Sequence, residues 1–234
     1  MPEPIERAET AVRSRPAAAT GSTVTPRTTG TTGTAGTAGT TGTTGTAGSD
    51  ELAALARTAS TCTRCALSEG RTQVVFGSGD PGADLLVVGE APGREEDLSG
   101  EPFVGRSGKL LDRLLGEELG IDRSGCYIAN VVKCRPPENR NPRRDEVARC
   151  RPYLDEQVRL IGPTVVVTLG NFATRLLLDT DRGIRSVRGR AYPFGSGWLV
   201  PTLHPAAALR SGAPVVAEMR EDLQRARELL GWSH

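Results

Sequence analysis

Leu85-Leu86-Val87-Val88-Gly89-Glu90-Ala91-Pro92-Gly93-Arg94-Glu95-Glu96-Asp97 is the stretch on which the fold turns. Four apolar residues run without alternation into a glycine- and proline-bearing turn, the pattern of a strand buried on both faces. Residues 127–132 and 164–169 are two more such runs. Between and after them the spacing is helical. Leu110, Leu111, Leu114, Leu115 and Leu119 predict a helix that Gly120 ends as a C-cap. Further helices are expected over 50–57 with Asp50 as cap, over 145–161 with a break near Pro152, over 170–178 and over 216–230. A short strand pair is expected around 187–192 and 198–201, leading to His204. Strands alternating with helices predict an α/β fold, a three-layer α/β/α sandwich around a central, mostly parallel sheet. Ligands of such sheets bind beyond the carboxyl ends of the strands. That rule selects the turn after Val88, the strand end at Asn130 and the turn at His204.

Composition sets the limits. The chain has 29 basic and 28 acidic residues. Four arginines and three glutamates fall within 1–48, so the remainder is neutral and nucleic-acid binding has to be argued from local patches. No apolar run is long enough for a transmembrane helix, and the N-terminus lacks the apolar segment of a secretory signal. Five cysteines in a chain of this kind favour metal binding or buried thiols over a disulfide framework. From Thr28 to Gly48 only Thr, Gly and Ala occur, with glycine every third residue and no proline. A collagen helix needs its imino acids, so 1–48 is expected to be a flexible tail ahead of one folded domain, 49–234.

At the first segment, glycines and a proline let backbone N–H groups approach a ligand closely. The acids Glu90, Glu95, Glu96 and Asp97 would repel phosphate, and no Gly-Lys-Ser/Thr follows. Phe103, between Pro102 and Gly105, suits stacking on a flat ligand, although a lone Phe is more often core. Asn130 interrupts an apolar strand, where an unmet amide costs ~1–3 kcal/mol. It either bonds a neighbouring loop or reads a base edge, since an amide carries a donor beside an acceptor. His204 precedes Pro205 and could point at a ligand or serve structure alone.

Cys62 and Cys65 form a Cys-x2-Cys bite, and Cys134 and Cys150 flank a proline-bearing loop. Four thiolates can hold zinc or an iron–sulfur cluster, and spacing does not separate the two. Zinc ribbons, however, pair two short knuckles, and here the second pair is far apart. Cys126 reads as a buried strand thiol. Between Lys133 and Arg151 stand seven basic residues and three acids, a patch suited to phosphate; Arg182, Arg185, Arg188 and Arg190 form a second.

Together these stretches closely resemble the iron–sulfur uracil-DNA glycosylases known as family 4. GEAPGREED with GEPFVGRSGKLL, YIANVVKCRPPENRNP, VVVTLG and HPAAALR match in order, with the four cysteines, over nearly all of residues 50–234. The resemblance implies a DNA repair enzyme that flips uracil out of single- or double-stranded DNA and hydrolyses its glycosidic bond. Phe103 would stack on the base, Asn130 would bond its N3–H and O4, His204 its O2, and the Ala91 backbone would help hold it. Glu90, with Glu96 as second candidate, would position water or stabilise the cationic sugar. Leu209 and Arg210 would enter the stack or the minor groove. Cys62, Cys65, Cys134 and Cys150 would hold a structural [4Fe–4S] cluster. A monomer acting on DNA in the cytoplasm, with no membrane partner, is expected. Relative to the better-known first family, Ala91 stands in place of an aspartate and Gly93 in place of a tyrosine. No histidine lies between Cys134 and Cys150, so turnover is expected rather than the covalent trapping of a related branch. Two rival readings are a non-catalytic DNA-binding module with a four-cysteine zinc site and a magnesium-dependent nuclease using the acids at 90–97.

Overall fold

The computed structural model describes residues 44–232. Of the coil expected over 1–48, residues 1–43 lie outside the described residues and 44–48 are helical instead. Helix α1 (Thr44–Ser60) begins ahead of Asp50, within the Thr/Gly/Ala block, so the expected start at Asp50 is corrected. Leu52 and Ala59 are buried, and α1 lies against the later helix over Arg144–Ile161. Tertiary burial of one face thus extends a helix into residues of low propensity.

Then follow α2 (Leu67–Gly70), β1 (Ser78–Gly79), β2 (Leu85–Gly89), α3 (Arg94–Ser99) and α4 (Arg106–Leu114). Helix α4 passes into a π turn, Leu115–Leu119, closed by Gly120 at φ 69° as the leucine spacing predicts. The remainder is β3 (Tyr127–Asn130), α5 (Arg144–Ile161), β4 (Val165–Leu169), α6 (Gly170–Leu178), α7 (Ile184–Val187), β5 (Tyr192–Phe194), β6 (Gly197–Thr202), α8 (Pro205–Ser211) and α9 (Ala213–Leu230).

Six strands form one sheet in the order β1-β3-β2-β4-β6-β5. The inner four are parallel, and β1 and β5 are antiparallel edges. Side chains alternate across β2: Leu85 and Val87 pack with α4, α8 and α9, while Leu86 and Val88 pack with α1, α5 and α6. Both faces are therefore covered, which is why the strands read as unbroken apolar runs. From β2 the chain goes to β3 on one side and then returns to β4 on the other, which opens a crevice at the strands' carboxyl ends.

Two local expectations fail. Helix α5 runs through Pro152 without a break. The ring removes one helical hydrogen bond, but Val147, Cys150, Tyr153, Leu154 and Gln157 are buried on both sides of it, so packing holds the helix. Val187 closes α7 rather than starting a strand, and the strand is only Tyr192–Phe194. Val187 is buried in the core and its carbonyl accepts from Tyr192 Oη at 3.0 Å.

Candidate active site

At the crevice, Glu90, Ala91, Phe103, Asn130, His204 and Arg210 line one cleft of ≈ 550 Å³. Residues more than 100 positions apart in the chain meet there because their strands end side by side. Leu209 is exposed on α8 beside Arg210.

Asn130 ends β3 and is 1% exposed, yet its Oδ1 has no hydrogen-bond partner. Almost every buried polar atom finds a partner, and leaving one unmet costs ~1–3 kcal/mol. Gly89 lies across from it in the parallel register, and a Cβ there would collide with both Asn130 Oδ1 and the Phe103 ring. Only glycine at this point leaves the cleft floor open.

Phe103 sits at φ 54°, a left-handed conformation that costs a side-chain-bearing residue about 1–2 kcal/mol. Three features impose it. Arg123 donates to the Pro102 carbonyl at 2.9 Å and to the Phe103 carbonyl, and is itself held by Asp112 at 2.7 Å. Gly108 gives room for the Phe103 carbonyl, which any Cβ there would strike. Glu96 accepts from the N–H groups of Val104 at 3.1 Å and Gly105 at 3.0 Å. The ring is thereby fixed 5.8 Å from the His204 imidazole, tilted by 33°.

His204 caps α8, its Nδ1 accepting from Ala206 N–H at 3.1 Å. The ring proton is therefore on Nε2, which makes that nitrogen a donor. Burial, then the Arg210 charge, push its pKa down to about 4. It is a neutral imidazole at physiological pH.

The carboxylates separate by role. Glu96 is engaged by three backbone N–H groups, including Gly93 at 3.0 Å, and braces the turn. Asp97 is buried and accepts from Thr72 N–H at 3.0 Å. Glu90 lines the cleft, half-buried, and desolvation raises its pKa above the ordinary glutamate value. Among the described residues no three Cys, His, Asp or Glu side chains converge on a single metal ion, and Glu96 and Asp97 are already held by backbone N–H groups.

Part of each basic patch is paired with acids. Arg140 forms a bidentate pair with buried Glu146 at 2.6 and 2.8 Å, and Arg151 pairs with Asp155. Arg185 and Arg188 pair with Glu218, Glu221 and Asp222 of α9. Sequence reading missed Arg123, Gly108 and Gly89. The last carries a signal, a glycine at the end of an apolar strand; Arg123 carries none, since its partners are distant in sequence.

On the α5 side of the sheet, Cys62, Cys65, Cys134 and Cys150 line one small cavity of ≈ 20 Å³. Arg71 Nη1 donates to Cys134 Sγ and Lys133 N–H to Cys150 Sγ, each at 3.3 Å. Such donors suit sulfurs that carry negative charge. Burial pushes the unligated Cys150 thiol up to about 11 and raises Cys65 and Cys134 as well. A tetrahedral zinc would draw the four sulfurs to about 2.3 Å from one point. Four thiols with two N–H donors aimed at their sulfurs are a donor set that fits a four-thiolate group, cluster or zinc. Cys126 is buried in the opposite core, away from this cavity, as expected.

Residues 76–226 match the family model of the uracil DNA glycosylase superfamily. The chain is 44% identical over 174 residues to a Type-4 uracil-DNA glycosylase of Sulfurisphaera tokodaii, covering 70% of this chain and 78% of that one. A Type-4 enzyme of Saccharolobus solfataricus is 43% identical, covering 71% of this chain and 80% of its own. One from Thermotoga maritima is 42% identical over 71% and 88% respectively. The matched span takes in every strand from β1 to β6 and the cleft at their ends, and this chain belongs to the uracil DNA glycosylase superfamily.

Proposed function

We propose that the protein excises uracil from DNA by hydrolysing its glycosidic bond, leaving an abasic site for repair. The observation that carries this reading is the buried, unpartnered Asn130 Oδ1 in the cleft. An acceptor held dry without a donor suits a ligand that brings an N–H, and N3–H of a flipped uracil is such a donor. Flipping costs a few kcal/mol and is offset by stacking and hydrogen bonding in the pocket. Phe103 supplies the stacking face, and the Ala91 backbone lies at the same wall. As the bond breaks, negative charge gathers on uracil and positive charge on the sugar. The Nε2–H of His204 meets the first at O2, and the Glu90 carboxylate stabilises the second or orients water; both are in place before reaction. Arg210 at the cleft and the exposed Leu209 beside it on α8 would fill the gap left in the stack.

Cys62, Cys65, Cys134 and Cys150 would hold a [4Fe–4S] cluster, whose contribution is structural, tying α1's end, the 134–150 loop and α5 together. We take the protein to act as a monomer on single- or double-stranded DNA in the cytoplasm, with the residues ahead of α1 taking no part in excision. Among the described residues no helix is long and apolar enough to cross a membrane.

The chain has only two lysines, and neither Lys109 nor Lys133 lines the cleft. An amine that could form a Schiff base with the abasic sugar is thus missing from the described cleft. The test is an oligonucleotide with one uracil, incubated with protein and EDTA. Free uracil should appear while the strand stays full length until alkali is added. Strand scission without alkali, or loss of base release in EDTA, would sink the reading.

The pH profile gives a second check. Glu90 must be charged and His204 neutral. Desolvation raises Glu90, so its charge is lost as pH falls through a value above 4.5, whereas His204 stays neutral down to about 4. Excision should therefore fall on the acid side first with Glu90, with no inflection from His204 at 6.5. An inflection at 6.5 that disappears in His204→Asn would contradict the neutral-histidine assignment.

A further inference from the structure

Asn130 has a second buried polar group, its backbone carbonyl. Val131 N–H donates to the Gly89 carbonyl at 2.9 Å on the β2 side. Successive backbone groups of a strand face opposite ways, so the Asn130 carbonyl faces away from β2. On that side β1 pairs only with Tyr127 and Ile128 and does not reach it. Lys133 does. Its Nζ donates to the Asn130 carbonyl at 2.8 Å and also to Gln157 Oε1 on α5. Gln157 is anchored in turn, its Nε2 donating to the Phe76 carbonyl at 2.9 Å. The Lys133 Nζ lies over the Phe76 ring, 5.7 Å from its centroid, and the residue is 2% exposed. At its other end, the Lys133 N–H donates to Cys150 Sγ, and Lys133 lines the four-thiol cavity.

A fully buried lysine is rare and costs desolvation that a purely apolar side chain would avoid. Here one residue meets the backbone carbonyl that β1 leaves unpaired next to the base-reading amide and fastens it to the cavity wall. We infer that Lys133 is the positioning residue of base recognition: it pins the Asn130 peptide to α5 and to the four-thiol cavity, and so sets the aim of the Asn130 amide into the cleft. The inference rests on the reading of Asn130 as the uracil-reading residue. Lys133 touches neither base nor sugar and takes no part in the chemistry.

The test uses full-length protein purified anaerobically with its iron, comparing wild type, Lys133→Met, Asn130→Ala and the double variant. Lys133→Met keeps the bulk and removes both donated bonds. It should retain iron while kcat for uracil excision falls about 100-fold, as a misplaced group does. Binding of an uncleavable 2′-fluoro-deoxyuridine oligonucleotide should weaken about tenfold, with no such change for the same oligonucleotide lacking uracil. The double variant should excise within about twofold of Asn130→Ala, because both changes abolish one interaction. A merely structural lysine would give losses that add. Wild-type excision by Lys133→Met, or additive losses, overturns the inference. Wild-type excision by Asn130→Ala would instead overturn the Asn130 reading, and this inference with it. If Lys133→Met does not fold or does not keep iron, Gln157→Leu decides, since it removes the second anchor of Nζ without touching the cavity. It should lose about fivefold in kcat, again without further loss on Asn130→Ala; an unchanged rate overturns the inference.

Discussion

Asn130→Ala is expected to lower uracil excision by about 10²–10³ in kcat, the usual loss when one preorganised polar partner is removed from a dry site. Stability should move the other way. The Asn130 Oδ1 is buried and unpartnered, so the amide costs the free protein energy, and its removal should leave Tm unchanged or slightly raised. This opposition of activity and stability is what distinguishes a recognition amide from a structural one. Asn130→Asp probes the hydrogen-bond pattern. Uracil presents a donor at N3 and an acceptor at O4; cytosine presents an acceptor at N3 and a donor at C4. The wild-type amide suits the first and mismatches the second twice, which can reject an analogue by orders of magnitude. The aspartate loses the donor to O4, so uracil excision falls steeply, and it offers an acceptor to the cytosine amine. Some cytosine release is expected, favoured at lower pH, where cytosine N3 or the new carboxyl carries a proton. Asn130→Ala should gain none. Release of each base from matched oligonucleotides, with Tm measured on the same preparations, settles both points. Wild-type uracil release by both variants would remove Asn130 from the site.

The second large effect is at the thiols. Anaerobically purified protein should be brown, and serine at Cys62, Cys65, Cys134 or Cys150 should bleach it and lower Tm by more than about 10 °C, since a metal group that ties distant segments contributes directly to folding. These four side chains come from the end of α1, the loop after β3 and the interior of α5. Losing their common tie frees the segments that carry Lys133 and Arg140 toward the cleft. Cys126→Ser replaces a thiol whose pKa burial pushes up to about 12, in the opposite core. It should keep iron and colour, at a modest cost of about 1–2 kcal/mol for the buried hydroxyl. Iron and zinc content, visible absorbance and Tm of the five variants give the answer. Zinc in place of iron, or a colour that depends on Cys126 and not on Cys150, would refute the assigned ligand set.

Much was legible from the chain alone. The apolar runs at 85–88, 127–132 and 164–169 announced buried parallel strands, because residues covered on both faces have no reason to alternate. Gly120 marked a helix end, and the strand-end rule picked out Glu90, Phe103, Asn130 and His204, which line one cleft. The four cysteines were separable from Cys126 by spacing, and the structure collects them round one cavity. These features depend on local periodicity and on residue types, both of which a sequence states openly.

What only the tertiary structure decided depends on partners far apart in the chain. Glu90 and Glu96 are the same residue type six positions apart and both line the cleft, yet Glu96 is taken by the N–H groups of Gly93, Val104 and Gly105. Pro152 was read as a helix break from its ring, but burial of its neighbours outweighs one missing hydrogen bond. Two of the four arginines that suggest a phosphate patch at 182–190, Arg185 and Arg188, pair instead with acids of α9 more than thirty residues away. Lys133, counted as one basic residue among seven, is buried against Gln157 and the Asn130 carbonyl. A residue type and its spacing say what a side chain can do; which of those possibilities is used is set by the groups that long-range packing brings within about 3 Å of it.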